Sequence, residues 1–535
     1  MQVSQKESTV CHHMWFIKNF KQRIIIESII VGAFAGAVAI LYRHTISVAG
    51  FFHSEMYDLL RTKGPATVAA WFAILVFTGY VLGIMARKEP MAGGSGIPQV
   101  KGILLGYLKT NWLSVLVYKF IGGVLALAAG LSVGREGPSI QLGAAVAQGL
   151  SRMMGRVRVE EKYLITCGAS AGLAAAFNAP MAGVVFALEE LHRNFSPLVL
   201  APAMAASLTA AFISGKVFGH GPVFNLTLVR PFPLEHYLDL VFLGIVTGFM
   251  GTLFNLALKR TRDIYEGLSF IRREFRPVIP IVAAGFMGFY LPQVLGGGHE
   301  LITSLVEVKG DYAPGILLLI LIVKFLFTMA SYGSGVPGGI FLPLLAIGAI
   351  VGRIYGSVIL EIGGLDVDYV RNLTVLGMAG CFASIVRAPI TGTILITEMT
   401  GSFSHLLSLG VVSFASYMVA EALKSPPVYE MLLEFLLTEE CREGICLEKK
   451  EWEIVEIPVC SGSAADGVRV RDLKLPDHCL LVAIKRGNLE IIPKGFTRVY
   501  PGDYLVVLTY VDRAAEVNEL LFKVTADLKV QDRSL

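Results

Sequence analysis

Charged residues are scarce in this sequence: Asp, Glu, Lys and Arg together form 16% of its 535 residues, whereas hydrophobic residues form 54%. Soluble domains carry about 25% charged residues. The low share, together with a mean hydropathy of +0.63, therefore excludes an ordinary soluble protein. The formal net charge is only +4, which argues against the basic surface that nucleic acid binding needs. The composition predicts a protein embedded in a lipid bilayer.

Metal and catalytic motifs are missing as well. The seven cysteines form no C-x-x-C pair and have no zinc spacing, so reduced thiols are expected and a metal site is not. The segment from Glu189 to His192 lacks the H-E-x-x-H spacing that places two histidines on one helical face. No nucleophile and base stand in a recognisable arrangement. We therefore expect a protein that is not an enzyme and needs no cofactor.

Long uncharged runs are present instead. A first hydrophobic helix is expected from about Ile24 to Leu41, followed by a polar segment at 53–64. Such runs approach the roughly 20 residues that a membrane-spanning helix needs. Further runs lie at 66–86, 163–188, 194–215, 240–258, 277–298, 325–352 and 399–420. Many are interrupted by Gly or Pro, which membranes tolerate only where the freed backbone is buried in protein or lines a cavity, so a transport pathway is indicated.

The N-terminus carries positive charge ahead of the first apolar run. Lys18, Lys21 and Arg23 precede Ile24, and no small-residue cleavage site is evident. By the positive-inside tendency, residues 1–22 are expected to form a retained cytoplasmic segment.

One glycine-rich stretch has the features of an anion-binding helix start. Glycines precede it, Pro138 suits a first helical turn, and a helix of small apolar residues follows. Unpaired N–H groups and the helix dipole favour an anion at such a position. Glu136 stands there, either as an acid that stabilises the dipole or as a gate. A gating carboxylate would occupy the anion's place when ionised and leave it when protonated, and the membrane context favours this second interpretation.

The second half of the chain repeats the first with altered sequence. The matching pairs are Pro180 with Pro389 and Glu189 with Glu398, each 209 residues apart (389 − 180, 398 − 189), and Gly134 with Gly339, Pro138 with Pro343 and Gly143 with Gly348, each 205 residues apart (339 − 134, 343 − 138, 348 − 143). In transporters such halves are often inverted, so that broken helices point their N-terminal ends at one central site. We expect two inverted repeats, at about 23–230 and 231–437.

The composition changes from about Thr438. An acidic linker at 438–451 precedes short runs with strand periodicity at 452–459, 479–484, 489–492 and 504–510. Helical signals lie at about 468–473 and 512–523. The predicted fold is thus an all-α polytopic membrane domain of broken, tilted helices at 23–437, followed by a small soluble α+β domain at 452–535.

Three motifs and one tyrosine resemble the CLC family of chloride channels and proton-coupled chloride transporters over about residues 20–437. The motif residues are Gly94, Ser95, Gly96, Ile97 and Pro98; Gly134, Arg135, Glu136, Gly137 and Pro138; Gly339, Ile340, Phe341, Leu342 and Pro343; and the tyrosine is Tyr429. The resemblance implies a homodimer in which each protomer holds its own anion pathway. It assigns chloride coordination to the Ser95 and Tyr429 side chains and to the Ile340 and Phe341 amides, and the external gate to Glu136.

The same resemblance implies a role for Glu190. In the family, the second acid of an E-E pair after an A-P-x-A-G element is the internal proton-transfer residue of exchangers, whereas channels typically have a non-acidic residue there. An ionisable residue inside a membrane domain is also a proton-relay candidate on physical grounds. Proton–chloride exchange is therefore expected, with a passive voltage- or ligand-gated chloride channel as the alternative. Glu189 fits a structural role better.

The tail contains the motifs Leu473-Lys474-Leu475-Pro476, Leu481-Val482-Ala483-Ile484-Lys485-Arg486, Ile492-Pro493-Lys494-Gly495 and Pro501-Gly502-Asp503-Tyr504-Leu505. With these motifs it resembles the C-terminal regulatory domain of TrkA potassium-uptake proteins. The resemblance suggests a prokaryotic owner, with the protein in the cytoplasmic membrane and both termini cytoplasmic. It also suggests a small anionic, nucleotide-like regulator near Lys485, Arg486, Lys494 or Arg498. The preferred interpretation of these four residues alone is nevertheless a solvated basic face.

Overall fold

The computed structural model describes residues 2–526, apart from 194, 220, 225–230, 269, 307–312, 363–366, 443–451, 461, 474, 476–478, 488 and 511–513. Its internal contacts divide the chain into two units, Met1–Glu439 and Glu440–Leu535. The first unit is helical and the second contains a β-sheet.

Helices of very different length build the first unit. Its first half contains α1 (Gln2–Thr62), α2 (Pro65–Lys88), α3 (Ile97–Leu105), α4 (Trp112–Ala128), α5 (Glu136–Met153), α6 (Arg158–Phe177), α7 (Pro180–Phe186) and α8 (Pro197–Phe218). A π-helical turn, Ala187–His192, extends α7. The second half contains α9 (Tyr237–Gly267), α10 (Val278–Tyr290), α11 (His299–Val306), α12 (Pro314–Gly333), α13 (Phe341–Ile362), α14 (Val367–Val386), α15 (Pro389–Thr400), α16 (Leu406–Ala422) and α17 (Val428–Arg442).

Many of these helices have the length and composition of membrane spans. In the part of the chain that the structure describes, eight helical stretches are long and apolar enough to cross a bilayer. They are Gln22–Thr62, Pro65–Lys88, Pro197–Phe218, Leu234–Gly267, Pro314–Gly333, Phe341–Ile362, Asp368–Val386 and Phe403–Ala422. The prediction of a polytopic helical membrane domain is confirmed.

Three of the predicted spans are wrong in extent. The run 163–188 is broken, because Asn178 adopts a left-handed conformation (φ 53°) after α6 and Pro180 begins α7. The run 277–298 yields only the 13-residue α10. The run 325–352 joins parts of α12 and α13 across the glycine-rich turn that separates them. Glycine and proline punctuate the backbone here without reducing hydropathy, so the apolar runs conceal the breaks.

Two further observations concern the extent of the helices. The first helix, predicted from about Ile24 to Leu41, is the much longer α1, which includes most of residues 1–22 and of the polar segment 53–64. The cytoplasmic placement of 1–22 stays a prediction. The span that sequence reasoning missed, α14, lies mostly inside the protein: 89% of its apolar window is buried. A helix enclosed by other helices needs no continuous lipid-facing apolar surface, so polar residues are tolerated within it.

The two halves share their local backbone geometry. Ala179 before α7 has φ −128° and ψ 78°, and Ala388 before α15 has φ −125° and ψ 76°. Asn178 and Arg387, 209 residues apart (387 − 178), both have positive φ. The repeat read from the sequence is therefore a structural repeat.

Reciprocal carboxylates join the two halves. Glu189 accepts hydrogen bonds from the N–H groups of Ile390 (3.2 Å) and Thr391 (2.6 Å) at the start of α15. Its repeat partner Glu398 accepts from Met181 (3.1 Å) and Ala182 (2.7 Å) at the start of α7. Each half thus caps a helix of the other, as two-fold related halves would. The structural role expected for Glu189 is the one it has.

Small residues let the central helices pack closely. A Cβ atom on Gly143 of α5 would lie 2.1 Å from the carbonyl oxygen of Gly168 in α6. The repeat-related pair behaves alike, since a Cβ atom on Gly348 of α13 would lie 2.6 Å from the carbonyl oxygen of Gly377 in α14. Close backbone approach at small residues is the usual way in which membrane helices associate.

The second unit is a small α+β domain. Strands β1 (Trp452–Pro458), β2 (Cys479–Arg486), β3 (Leu489–Ile491) and β4 (Asp503–Tyr510) form an antiparallel sheet of order β1-β4-β2-β3, and α18 (Ala514–Ala526) follows. Its core includes Leu481, Leu505 and Val507 of the sheet with Leu521 of α18. The predicted strands are confirmed, while the helical signal at 468–473 is a single 3₁₀ turn, Val470–Asp472.

Candidate functional site

The three glycine-rich motifs meet in space. Gly134 and Gly339 exchange backbone hydrogen bonds of 2.6 and 2.7 Å. Gly94 donates to the carbonyl of Val336 (3.1 Å) and accepts from the N–H of Gly338 (2.9 Å). These short bridges tie together the loops that lead into α3, α5 and α13, and so bring the N-terminal ends of the three helices to one place.

Glycine permits this close approach. Gly96, at the N-cap of α3, has φ +91°, a conformation that other residues rarely adopt. A Cβ atom on Gly137 would lie 2.7 Å from the carbonyl oxygen of Ser95. Bulkier residues at either position would force the helix ends apart.

Glu136 is fully buried at the first residue of α5. Among the described residues, neither carboxylate oxygen has a hydrogen-bond partner, and the nearest cation is the Arg135 guanidinium, with Nε 3.9 Å from Oε1. The N–H of Leu342 in α13 lies beside it. The side chain therefore stands among helix N-terminal ends that favour negative charge, without being fixed there by strong hydrogen bonds.

The residues predicted to bind the anion line the same region. Ser95 is buried, and its Oγ accepts a hydrogen bond from the Ile97 N–H at 3.3 Å. Ile340 and Phe341 are buried at the start of α13, where N–H groups have no intrahelical carbonyl partner. The Tyr429 hydroxyl, in the first turn of α17, is buried and has no partner in the part of the chain that the structure describes. Their role in anion binding stays a prediction.

Glu190 lies on the π-helical turn after α7, and π-turns inside helices are frequent at functional sites. Its carboxylate is buried and accepts a hydrogen bond from Lys101 Nζ at 2.8 Å. Tyr429 lies within electrostatic range of both Glu136 and Glu190.

Sequence reasoning missed three buried lysines. Lys101 pairs with Glu190, as described above. Lys119 donates to the carbonyls of Ala92 (3.0 Å) and Gly94 (2.7 Å), and Lys324 to those of Val294 (2.9 Å) and Gly296 (2.7 Å). A detectable signal existed for the last two, because each is a lone charge in an apolar run and they lie 205 residues apart (324 − 119). Lys119 fixes the loop that carries Ser95.

The described residues contain no group of three or more His, Cys, Asp or Glu side chains placed to hold a metal ion.

Comparison with known proteins identifies the family. The model of the voltage-gated chloride channel family matches residues 78–421. The chain belongs to the CLC family of chloride channels and transporters. The H(+)/Cl(-) exchange transporters ClcA of Vibrio cholerae and Citrobacter koseri are similar, at 34% identity over 77% of this chain and 89% of theirs, and at 30% over 78% and 90%. The crystal structure of a slow cyanobacterial Cl-/H+ antiporter matches with TM-score 0.75 and 30% identity, over 78% of this chain and 99% of that one.

Membership in this family, with the eight apolar stretches, makes the chain an integral multi-pass membrane protein. A fluoride/proton antiporter of CLC type shares the fold, with a TM-score of 0.62 and 24% identity. The tail matches the TrkA-C domain over residues 454–521, so the second resemblance is confirmed as well.

The four basic tail residues that were predicted near a ligand already make contacts within the domain. Lys485 pairs with Glu456, and the Arg486 guanidinium makes two 2.8 Å hydrogen bonds to Asp503. These contacts raise the pKa of Lys485 and of Arg486. Arg498 donates to the carbonyl of Gly467 at 3.2 Å. Lys494 lies over the Phe496 ring, with Nζ 6.0 Å from its centroid.

Proposed function

We propose that this protein exchanges chloride for protons across the membrane. The observation that carries the proposal is the meeting of three helix N-terminal ends around the buried carboxylate of Glu136. Free N–H groups and helix dipoles at that point suit an anion. The similar bacterial proteins named as H(+)/Cl(-) exchange transporters support the choice of ions.

In the proposed cycle, Glu136 and chloride compete for the same amides. The Ser95 and Tyr429 hydroxyls and the Ile340 and Phe341 amides hold the anion. When Glu136 takes up a proton it loses its charge, leaves the site and lets chloride in. Because the same side chain yields the site and carries the proton, chloride and proton movements are linked.

Glu190 is proposed as the second proton-transfer residue, on the opposite side from the gate. Its burial inside the membrane domain supports this role, since such an acid is costly to keep without a function. The acid at this position also favours an exchanger over a passive chloride channel, which is the second candidate on the same fold. The Lys101 pair offsets part of the cost of burying the carboxylate.

A chloride gradient across proteoliposomes tests this assignment. In the unmodified protein, we expect protons to move uphill. In Glu190→Gln, we expect chloride to flow without uphill proton movement, because the amide cannot take up a proton. Glu434→Gln, an exposed change on α17, is the matched control and should couple normally. A Glu190→Gln protein that still drove protons uphill would remove Glu190 from the pathway, and an unmodified protein that never did so would favour the channel.

Three further proposals follow from the same family. The protein works as a homodimer with one anion pathway in each protomer. It lies in the cytoplasmic membrane of a prokaryote with both termini in the cytoplasm, in keeping with the N-terminal lysines. The TrkA-C domain regulates transport by binding a small anion, for which the exposed Lys494 and Arg498 are the better candidates, because Lys485 and Arg486 are engaged with acidic neighbours.

A further inference from the structure

A chain of ion pairs extends from the buried Glu190 toward the protein surface. Lys101 Nζ lies 2.8 Å from Glu190 Oε1 and 3.5 Å from Glu430 Oε1. Arg193 Nη1 lies 2.6 Å from the same oxygen of Glu430. These four residues come from α3, from the π-helical turn and its following residue, and from α17.

Exposure increases along this chain of groups. The Glu190 side chain is 2% exposed, that of Lys101 is 4%, and that of Glu430 is 33%. Glu430 is therefore partly accessible from outside the protein, whereas Glu190 is shielded. The ammonium of Lys101 is the group that touches both carboxylates. The route thus runs from solvent through Glu430 and Lys101 to Glu190.

We propose that Glu430 and Lys101 form a proton relay that loads and unloads Glu190. This inference rests on the proposed proton-coupled exchange. A proton from water binds Glu430; an N–H bond of Lys101 breaks as an O–H bond forms on Glu190; the O–H bond of Glu430 then breaks and restores the lysine ammonium. One proton passes from Glu430 to Glu190, and Lys101 ends unchanged.

The surrounding charges suit this relay. Arg193 pairs with Glu430 beside Lys101, and the Glu430 side chain remains 33% exposed. The other titratable or charged groups near Glu190 are Arg193, Glu430 and Tyr429. The nearby His192 is occupied by a 2.7 Å hydrogen bond with Thr166 of α6. Among the residues with described side chains, Glu430 is therefore the carboxylate that connects Lys101 to the exterior.

Two variants separate a relay from a fixed countercharge. Lys101→Arg keeps the positive charge beside Glu190, but a guanidinium does not release its proton in proteins. Glu430→Gln removes the outer proton acceptor and leaves the Lys101–Glu190 pair intact, so it remains informative if Lys101→Arg does not fold. Glu434→Gln, one turn farther along α17, is the matched control.

The experiment measures chloride-driven proton transport in proteoliposomes as a function of pH, with chloride binding to the same purified proteins measured by calorimetry. We expect proton transport to be slowed about tenfold in Lys101→Arg and Glu430→Gln, since a positioned proton-transfer group contributes at least ~100-fold and water bypasses it in part. The pH dependence should flatten in Glu430→Gln, while chloride affinity and the Glu434→Gln control stay unchanged.

Other results would overturn the relay. Normal proton rates in both variants, with coupling present in the unmodified protein, contradict it while leaving the proposed exchange intact. A slow Glu430→Gln beside a normal Lys101→Arg eliminates the lysine as a carrier. Absence of uphill proton movement in the unmodified protein removes the proposed exchange itself, and the relay with it.

Discussion

At the scale of single residues, Glu136 stands out in the membrane unit because burying its carboxylate is energetically costly and its position suits the proposed gate. A buried carboxylate without hydrogen bonds is costly unless its surroundings favour negative charge. The N-terminal ends of α5 and α13 supply that field. A free anion would be favoured by the same field, which is why we propose that the side chain and chloride replace one another there.

Glu136→Gln should separate the two fluxes. The neutral amide neither competes for the helix ends as strongly as a carboxylate nor takes up a proton, so chloride flux should persist while coupled proton movement disappears. Ion-selective electrodes for chloride and protons, applied to the same proteoliposomes, give both rates. Continued chloride-driven uphill proton transport by Glu136→Gln would show that another group is the gate.

A second residue makes the tail sensitive to acid. Burial acts to raise the pKa of Asp503, but hydrogen bonds from Arg486 and from the Tyr500 N–H outweigh it, so the pKa lies below its ordinary value of 3.8. A carboxylate with a depressed pKa in the folded state adds stability above its unfolded pKa. That stability is lost as the pH falls through the folded pKa.

Asp503→Asn should therefore lower the free energy of unfolding of the tail at neutral pH by about 1.5–3 kcal/mol, the usual contribution of a hydrogen bond to a charged group. The difference between variant and unmodified protein should shrink as the pH falls below 3.8 and through the lower folded-state pKa, where the native carboxylate also becomes protonated. Calorimetry of the full-length protein measures it, with the tail's transition identified as the one absent from a chain ending at Arg442. A difference that does not change with pH would contradict this account.

At the scale of helices and strands, the tail was easier to predict than the membrane unit. Short apolar strands with polar boundaries leave a clear signal, and the predicted β1 and β4 agree with the structure to within one residue. In the membrane unit, hydropathy does not distinguish a segment that faces lipid from one that is buried inside the protein. It therefore merged α6 with α7, and it overlooked α14, whose apolar window is enclosed by protein.

The reciprocal capping of α7 and α15 predicts a measurable stability effect. Glu398→Gln would replace two charge-assisted hydrogen bonds at the start of α7 by weaker neutral ones. We expect a loss of about 1–2 kcal/mol in the free energy of unfolding. Thermal unfolding in detergent, with Glu434→Gln as the control, checks this. Equal stability of the two variants would mean that the capping contributes little.

At the scale of the whole molecule, the glycine-rich motifs predicted which segments meet around Glu136. Each motif marks the start of a helix, and helix N-terminal ends favour an anion. The proposed proton relay from Glu430 through Lys101 to Glu190 could not be predicted in this way. Lys101 and Glu190 are 89 residues apart, and no spacing rule joins α3 to a π-helical turn. The ion pair becomes visible only once the fold brings these elements together.

The division into two units predicts that the tail is dispensable for transport. Every predicted anion and proton residue belongs to Met1–Glu439. A chain ending at Arg442 should therefore carry chloride and protons at rates close to those of the full chain, and lose only the response to a tail ligand. Complete loss of transport in a truncated protein that still folds would make the tail part of the pathway.

The central claim is that one pathway links chloride to protons, and reciprocal coupling in the unmodified protein tests it most directly. Proteoliposomes are given a chloride gradient with no proton gradient, and then a proton gradient with no chloride gradient. We predict uphill proton movement in the first case and uphill chloride movement in the second, because in the proposed cycle chloride enters the site only when Glu136 takes up a proton and leaves it. Chloride that simply runs down its gradient while the proton concentration stays still would contradict the account.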